Sequence, residues 1–243
     1  MKIALLVLAV ACVPASAQWQ LPDLGKQVRD TMAQAHAKKA AAAQAAKADP
    51  AKQRAAAVES ALVAMNDGPE VGGLVAIFVR DNKIAIGSAN QAALSSSDAK
   101  AKTITLADAL PNYPRPLAIR IAREAAPMIL AGMPESSEKE YMKRSITARV
   151  WLELGGEAKN LPVTEPLTGY RDQVIADEVK SWVENKSEMA LYKIGEETKS
   201  KSLMELMDAE KDAAKKQALQ DANKRFVDFL ISENSWRDMY PQR

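Results

Sequence analysis

The sequence predicts an α+β fold, mainly α-helical, in which a short antiparallel β-hairpin packs against about five or six helices. Three observations carry this. Apolar residues recur at helical spacing over most of the chain after Pro116, as in Met142, Ile146, Val150 and Leu154. Only one stretch, about residues 71–89, has the pattern of sheet, with two apolar runs flanking a turn-forming tetrapeptide. The composition, 47% apolar and 26% charged, is that of a soluble globular chain with a core to bury.

The chain opens with Met1-Lys2, an apolar run from Ile3 to Val13, and Pro14-Ala15-Ser16-Ala17. One cation, a short hydrophobic core and a small-x-small exit are the parts of a secretory signal peptide over residues 1–17, with cleavage expected after Ala17. The apolar run is too short to cross the ~30 Å hydrocarbon layer as a helix, so no transmembrane span is expected in the mature chain. Cys12, preceded by Ala9-Val10-Ala11, admits a second reading as a lipid-anchored cysteine. Against it, Ala9 stands where a lipoprotein signal carries leucine. Both readings place the protein in the bacterial envelope, as a periplasmic or secreted chain or, on the second, anchored through Cys12.

Residues 18–48 are rich in Ala, Lys and Gln. Leu24, Val28 and Met32 form a narrow apolar stripe, but residues 37–48 hold too little apolar area to fix a helix in place. The segment is expected to be an exposed helix or a tether. The globular domain is expected over 49–243.

Asp49-Pro50 has the form of a helix start, and Val58, Leu62 and Met65 share a face until Asn66-Asp67-Gly68. Leu74–Val79 and Ile84–Ile86 are then expected as strands around Arg80-Asp81-Asn82-Lys83, with Thr103–Leu106 able to join them. Pro111, Pro114 and Pro116 frame a rigid linker. Pro116 opens a helix to about Ala131, which Pro127 would kink or shorten. Ser137-x-x-Glu140 has the form of a capping box for a helix ended by Gly155-Gly156. Ile175, Val179, Trp182 and Val183 mark another buried face. Ser202-x-x-Glu205 caps a long last helix at about 202–233, its middle charged and alanine-rich.

Composition also excludes chemistry. The only histidine, His36, lies in the Ala-rich extension, and the only cysteine, Cys12, in the signal segment. The folded part therefore has no imidazole or thiol for triad catalysis, a disulfide or an ordinary zinc site. A formal charge of +2 gives no basis for nucleic-acid binding. No phosphate-binding glycine loop, dinucleotide fingerprint or calcium loop occurs, so neither cofactor nor metal is expected.

Ser97/Lys100 and Ser136/Lys139 match the Ser-x-x-Lys spacing of acyl-enzyme catalysts, without the companion elements. Ser136 also stands at a helix start, where capping explains a serine. Carboxylate chemistry survives the loss of His and Cys, and a glycan-cleaving enzyme would need an acid in an apolar pocket. Glu135 before Ser136, Glu124 within the run Ile119–Leu130, and Glu153 beside Trp151 are the candidates. Arg120 and Arg123 beside Glu124 read equally as an internal ion pair or a partner surface. Tyr113 sits in the proline-framed linker, which would present it rigidly. The binding candidates are thus Tyr113, Arg120, Glu124 and Trp151. The expected function, by elimination, is a non-catalytic envelope protein that binds another envelope protein or a polymer such as peptidoglycan. The alternative is a carboxylate-dependent glycan-cleaving enzyme.

Overall fold

The computed structural model describes residues 49–67, 70–156, 163–165, 170–185 and 187–239. The signal-peptide and extension readings fall outside these residues. Helices dominate, and the sheet is small. Helix α1 spans Pro50–Asn66 and α2 Val71–Asp81; strands β1 (Ala85–Ala89), β2 (Ser95–Asp98) and β3 (Thr103–Ala107) follow. Then come α3 (Pro114–Ile129), α4 (Ser137–Glu153), a small pair β4 (Val163–Glu165) and β5 (Tyr170–Arg171), α5 (Gln173–Glu184), α6 (Ser187–Thr198), α7 (Leu203–Ala209) and α8 (Ala213–Met239). Eight helices among the described residues exceed the five or six expected.

The hairpin expectation is overturned. Leu74–Val79 lies inside α2 rather than in a strand. Val71, Val75, Ala76 and Val79 face the core, while Leu74 and Ile77 are 66% and 49% exposed, a division at helical period. The start of α2 is fixed from a distance: the Glu153 carboxylate accepts the N–H groups of Val71 (2.9 Å) and Gly72 (2.7 Å), satisfying donors that a helix N-terminus leaves open. Gly72 is needed there. A Cβ at this position would stand 2.9 Å from the Met65 carbonyl oxygen and 3.3 Å from Glu153 Oε2. Gly72→Ala is expected to lower stability by about 1–3 kcal/mol, read as a shift in the urea midpoint at constant m-value.

The tetrapeptide Arg80–Lys83 ends α2 rather than turning a hairpin, with Lys83 at φ 53° leading the chain out. The sheet that follows is mixed, in the order β1-β3-β2. β3, the expected Thr103–Leu106 piece, is its centre, parallel to β1 and antiparallel to β2. Ile104 and Leu106 of β3 are fully buried against the helices.

Helix α3 begins at Pro114, two residues before the expected start, and ends two residues after Pro127. Its apolar residues Leu117, Ile119, Ile121, Ala122 and Ala125 are all buried. Helix α4 is the hub, burying Tyr141, Met142, Ile146, Val150 and Trp151. Its cap is Ser136, whose Oγ accepts Lys139 N–H at 3.3 Å; with Lys139 in the third helical position, a single cap bond one residue earlier replaces the expected Ser137 box. Gly155, at φ 79°, follows its end as expected. The capping box at Ser202 and Glu205 is present. It opens only the seven-residue α7, however, and the expected 202–233 helix is two helices. Asp212 starts the second by accepting Lys215 N–H at 2.9 Å.

Candidate functional site

Arg120 and Glu124 lie one turn apart on α3 and so share a face, and the structure places both in one buried network. Arg120 donates to Asp172 through Nε (2.6 Å to Oδ2) and Nη2 (2.5 Å to Oδ1), with the two side chains 4% and 3% exposed. This planar double contact is the geometry guanidinium and carboxylate favour. Asp172 also caps α5, accepting Ile175 N–H at 3.2 Å. Arg120 Nη1 reaches the Ser95 hydroxyl at 3.2 Å. Ser95 and Ser97, two apart on β2 and so on one face, donate to Glu124 Oε1 (2.7 Å) and Oε2 (2.9 Å).

Arg123 completes the network. It donates to Glu178 through Nε and Nη2 (3.0 and 2.8 Å) and to Glu124 at 3.3 Å. The hydrogen bonding to Glu178 holds its guanidinium above the ordinary value, reinforced by the charges of Glu178 and Glu124 and opposed by burial. A cavity of about 200 Å³ adjoins these groups, lined by Arg123, Glu124, Glu140, Lys143, Arg144 and Glu178 among others. Its charges are matched: Lys143 pairs with Glu140, Arg123 with Glu178, and Arg144 with Glu197 at 2.9 Å. No aromatic residue is among those lining it. Both Glu124 oxygens accept hydrogen bonds, Oε1 from Ser95 and Arg123 and Oε2 from Ser97. The arrangement is suited to joining α3, β2 and α5.

At the rim of this region the Glu197 carboxyl is held below its usual range, chiefly by the hydrogen bond from Arg144. A depressed carboxylate contributes stability above its unfolded pKa and loses it as pH falls through the folded value. Glu197 is 63% exposed, so solvent screens the contribution. Arg144→Met is expected to return the Glu197 titration to the usual carboxylate range, as followed by NMR.

The other sequence candidates are dispersed. Trp151 is 1% exposed in the core, with the Arg115 guanidinium 5.5 Å from its ring centre. Tyr113, 37% exposed, precedes α3 at its cap position. Glu153 is engaged by Val71, Gly72 and the Trp236 indole N–H (2.9 Å). Glu135 is 79% exposed and pairs with Lys139 rather than lying in an apolar pocket. Lys139 Nζ is directed to the Met133 carbonyl (3.1 Å) and Glu135 (2.6 Å), and Ser136 acts as a cap. Ser97 and Lys100 sit on β2 and the turn after it, not on one helical turn.

Two features escaped the sequence reading. The first is a buried network on α4 and α8. Glu233, fully buried, accepts from Tyr141 (2.5 Å), Ser145 (2.7 Å) and Arg237 (2.9 Å). Arg149 lies over Trp236 and Arg237 over Trp182. Burial pulls the Arg149 guanidinium below its ordinary value, against the charges of Glu153, Glu233 and Glu70. The sequence signal was there: Glu233 is in phase with Ala222, Phe226 and Trp236 on the buried stripe of α8.

The second is an open groove of about 400 Å³ between α1, α2 and β1, lined by Val58, Leu62, Val79, Ile84 and Ile86, with Arg80 and Lys83 beside them. Arg80 pairs with Glu59 at 2.9 Å, and Lys83 is exposed. Among the described residues no cluster of His, Cys, Asp and Glu could hold a metal ion, and no helix is long and apolar enough to cross a membrane. Comparison with protein-family models, curated proteins and solved structures finds no match to this chain.

Proposed function

We propose that the protein is a non-catalytic binding protein of the bacterial envelope, exported by its N-terminal signal, and that its partner is another protein. The observation that carries this reading is the contrast between the buried charges and the α1–α2–β1 groove. Glu124, Asp172, Glu153 and Glu233 are each engaged by several donors inside the fold. In the groove, by contrast, Val58 and Ile86 are half-buried and carry no polar partner, above a floor that includes the buried Leu62, Val79 and Ile84, and the cation Lys83 beside them is exposed. An apolar concavity with a few placed polar groups is the general form of a binding site. What speaks against glycan cleavage is the environment of Glu124: serine and arginine donors surround it where an apolar pocket would be needed to hold a proton.

The test is a crosslinked pull-down of the tagged protein from its native envelope, compared with a Val58→Lys/Ile86→Lys variant that fills the groove with charge. The expected result is a partner recovered near stoichiometry by the parent chain and lost by the variant. Equal recovery by both would remove the groove from the binding surface. No partner above background would overturn the reading and direct attention to glycan turnover.

A further inference from the structure

We infer that the open edge of β1 and the adjoining groove form one strand-docking site, whose occupant is an extended segment of a partner protein bearing an apolar side chain next to a carboxylate. This rests on the groove reading above and specifies how the partner is held.

The order β1-β3-β2 leaves β1 at the rim of the sheet. Its bonding phase follows from its two ends. Ala85 N–H donates to the Lys102 carbonyl at 2.9 Å, and the Ala89 carbonyl accepts Asp108 N–H at 3.0 Å. Because alternate residues of a strand bond to the same neighbour, Ala85, Gly87 and Ala89 serve β3. The N–H and C=O of Ile86 and Ser88 then face outward. Among the described residues no hydrogen bond to those four groups is present.

Proteins commonly blunt such an edge with proline, charge, a bulge or a covering element. The segment Ala85-Ile86-Gly87-Ser88-Ala89 has no proline and no charge, and it pairs with β3 in unbroken register.

The groove supplies what an edge alone lacks, namely selectivity for a side chain. Ile86 contributes both to the edge and to the groove lining. In a newly added strand, the residue opposite Ile86 presents its side chain on the same face of the sheet. That face leads to Val58 and Leu62 on α1 and to Val79 and Ile84. Lys83, exposed and two residues before β1, favours a carboxylate at the corresponding end of the incoming segment. Main-chain bonds then hold the segment, and the groove and cation choose its sequence, the division of labour known for strand addition.

The test uses a displayed library of short linear peptides selected on the full chain, with the winners measured as synthetic peptides by fluorescence anisotropy. The expected winners alternate apolar with polar residues and carry Asp or Glu at one end. Ser88→Pro removes one outward N–H and no bond to β3, a place where an edge strand accepts proline. It is expected to weaken these peptides by about tenfold or more, and by clearly more than Ser88→Ala, which changes the side chain and keeps the N–H. Where Ser88→Pro disturbs folding, judged by its thermal midpoint, peptides N-methylated at alternate amides remove the reciprocal bonds, from peptide N–H to the outward carbonyls of Ile86 and Ser88, and should likewise lose binding.

Peptides weakened by Val58→Lys but indifferent to both Ser88→Pro and N-methylation would sink strand addition and keep the groove. Peptides indifferent to Val58→Lys as well, or a selection without winners, would overturn both. A dimer of the chain that Ser88→Pro dissolves, with no peptide bound, would replace the partner segment by a second copy and overturn the inference as stated.

Discussion

Arg120→Met is expected to reduce the unfolding free energy by about 3–5 kcal/mol, measured by urea denaturation with m-values compared to the parent chain. The Arg120 and Asp172 side chains are 4% and 3% exposed. Removing the guanidinium therefore leaves a carboxylate out of water with its main partner gone, and takes a donor from Ser95 as well. The size of the effect comes from the stranded charge more than from the lost attraction. Asn at position 172 can still cap α5, so Arg120→Met/Asp172→Asn is expected to recover about half of the loss or more. Additive losses in the double variant would show that the pair is not the unit it appears from its geometry.

Glu233→Ala is expected to destabilise by a comparable amount, about 3–5 kcal/mol. The carboxylate is fully buried and is the common acceptor for Tyr141, Ser145 and Arg237. Its loss opens a void between α4 and α8, removes the acceptor of two buried hydroxyls, and frees Arg237 from the position in which it covers Trp182 at 3.6 Å. The Trp182–Trp236 contact, at 6.1 Å between ring centres, adjoins this network. The variant should therefore also shift the tryptophan emission of the native state. A variant with parental stability and emission would show that the network is dispensable.

These two sites also separate structure from binding. Neither contributes a residue to the lining of the α1–α2–β1 groove. Milder variants such as Asp172→Asn that remain folded should keep partner binding, whereas Val58→Lys should lose it with little change in stability.

Helices α3, α4 and α5 were legible because apolar residues recur in them at helical spacing, and that period survives in a single sequence; α6 was not read, and α7 and α8 were read as one helix. Arg120 and Glu124 stood out for the same reason, as charges set among Leu117, Ile119, Ile121 and Ala125. Their partners did not. Ser95 and Ser97 belong to a strand that reads Ser-Ser-Ser-Asp, without apolar alternation. Asp172 and Glu178 come from a part of the chain some fifty residues away. Trp151 was legible as a large apolar side chain, but its depth in the core was not.

The apolar run Leu74–Val79 shows where sequence reading fails. Six apolar residues in a row carry no period, so strand and helix are equally compatible with them. What makes the segment a helix is tertiary: Glu153 captures the N–H groups of Val71 and Gly72 from 82 and 81 residues away, and only one face finds a core to cover.

Local spacing and residue identity were enough to read the helical class, the positions of α1, α3, α4 and α5, and the lack of His and Cys in residues 49–243. Long-range packing was needed to make α2 a helix, to mix the sheet with β1 at its edge, and to bring the donors to the buried carboxylates. A carboxylate has no fixed role until its donors are in place, and here those donors come from elements distant in sequence.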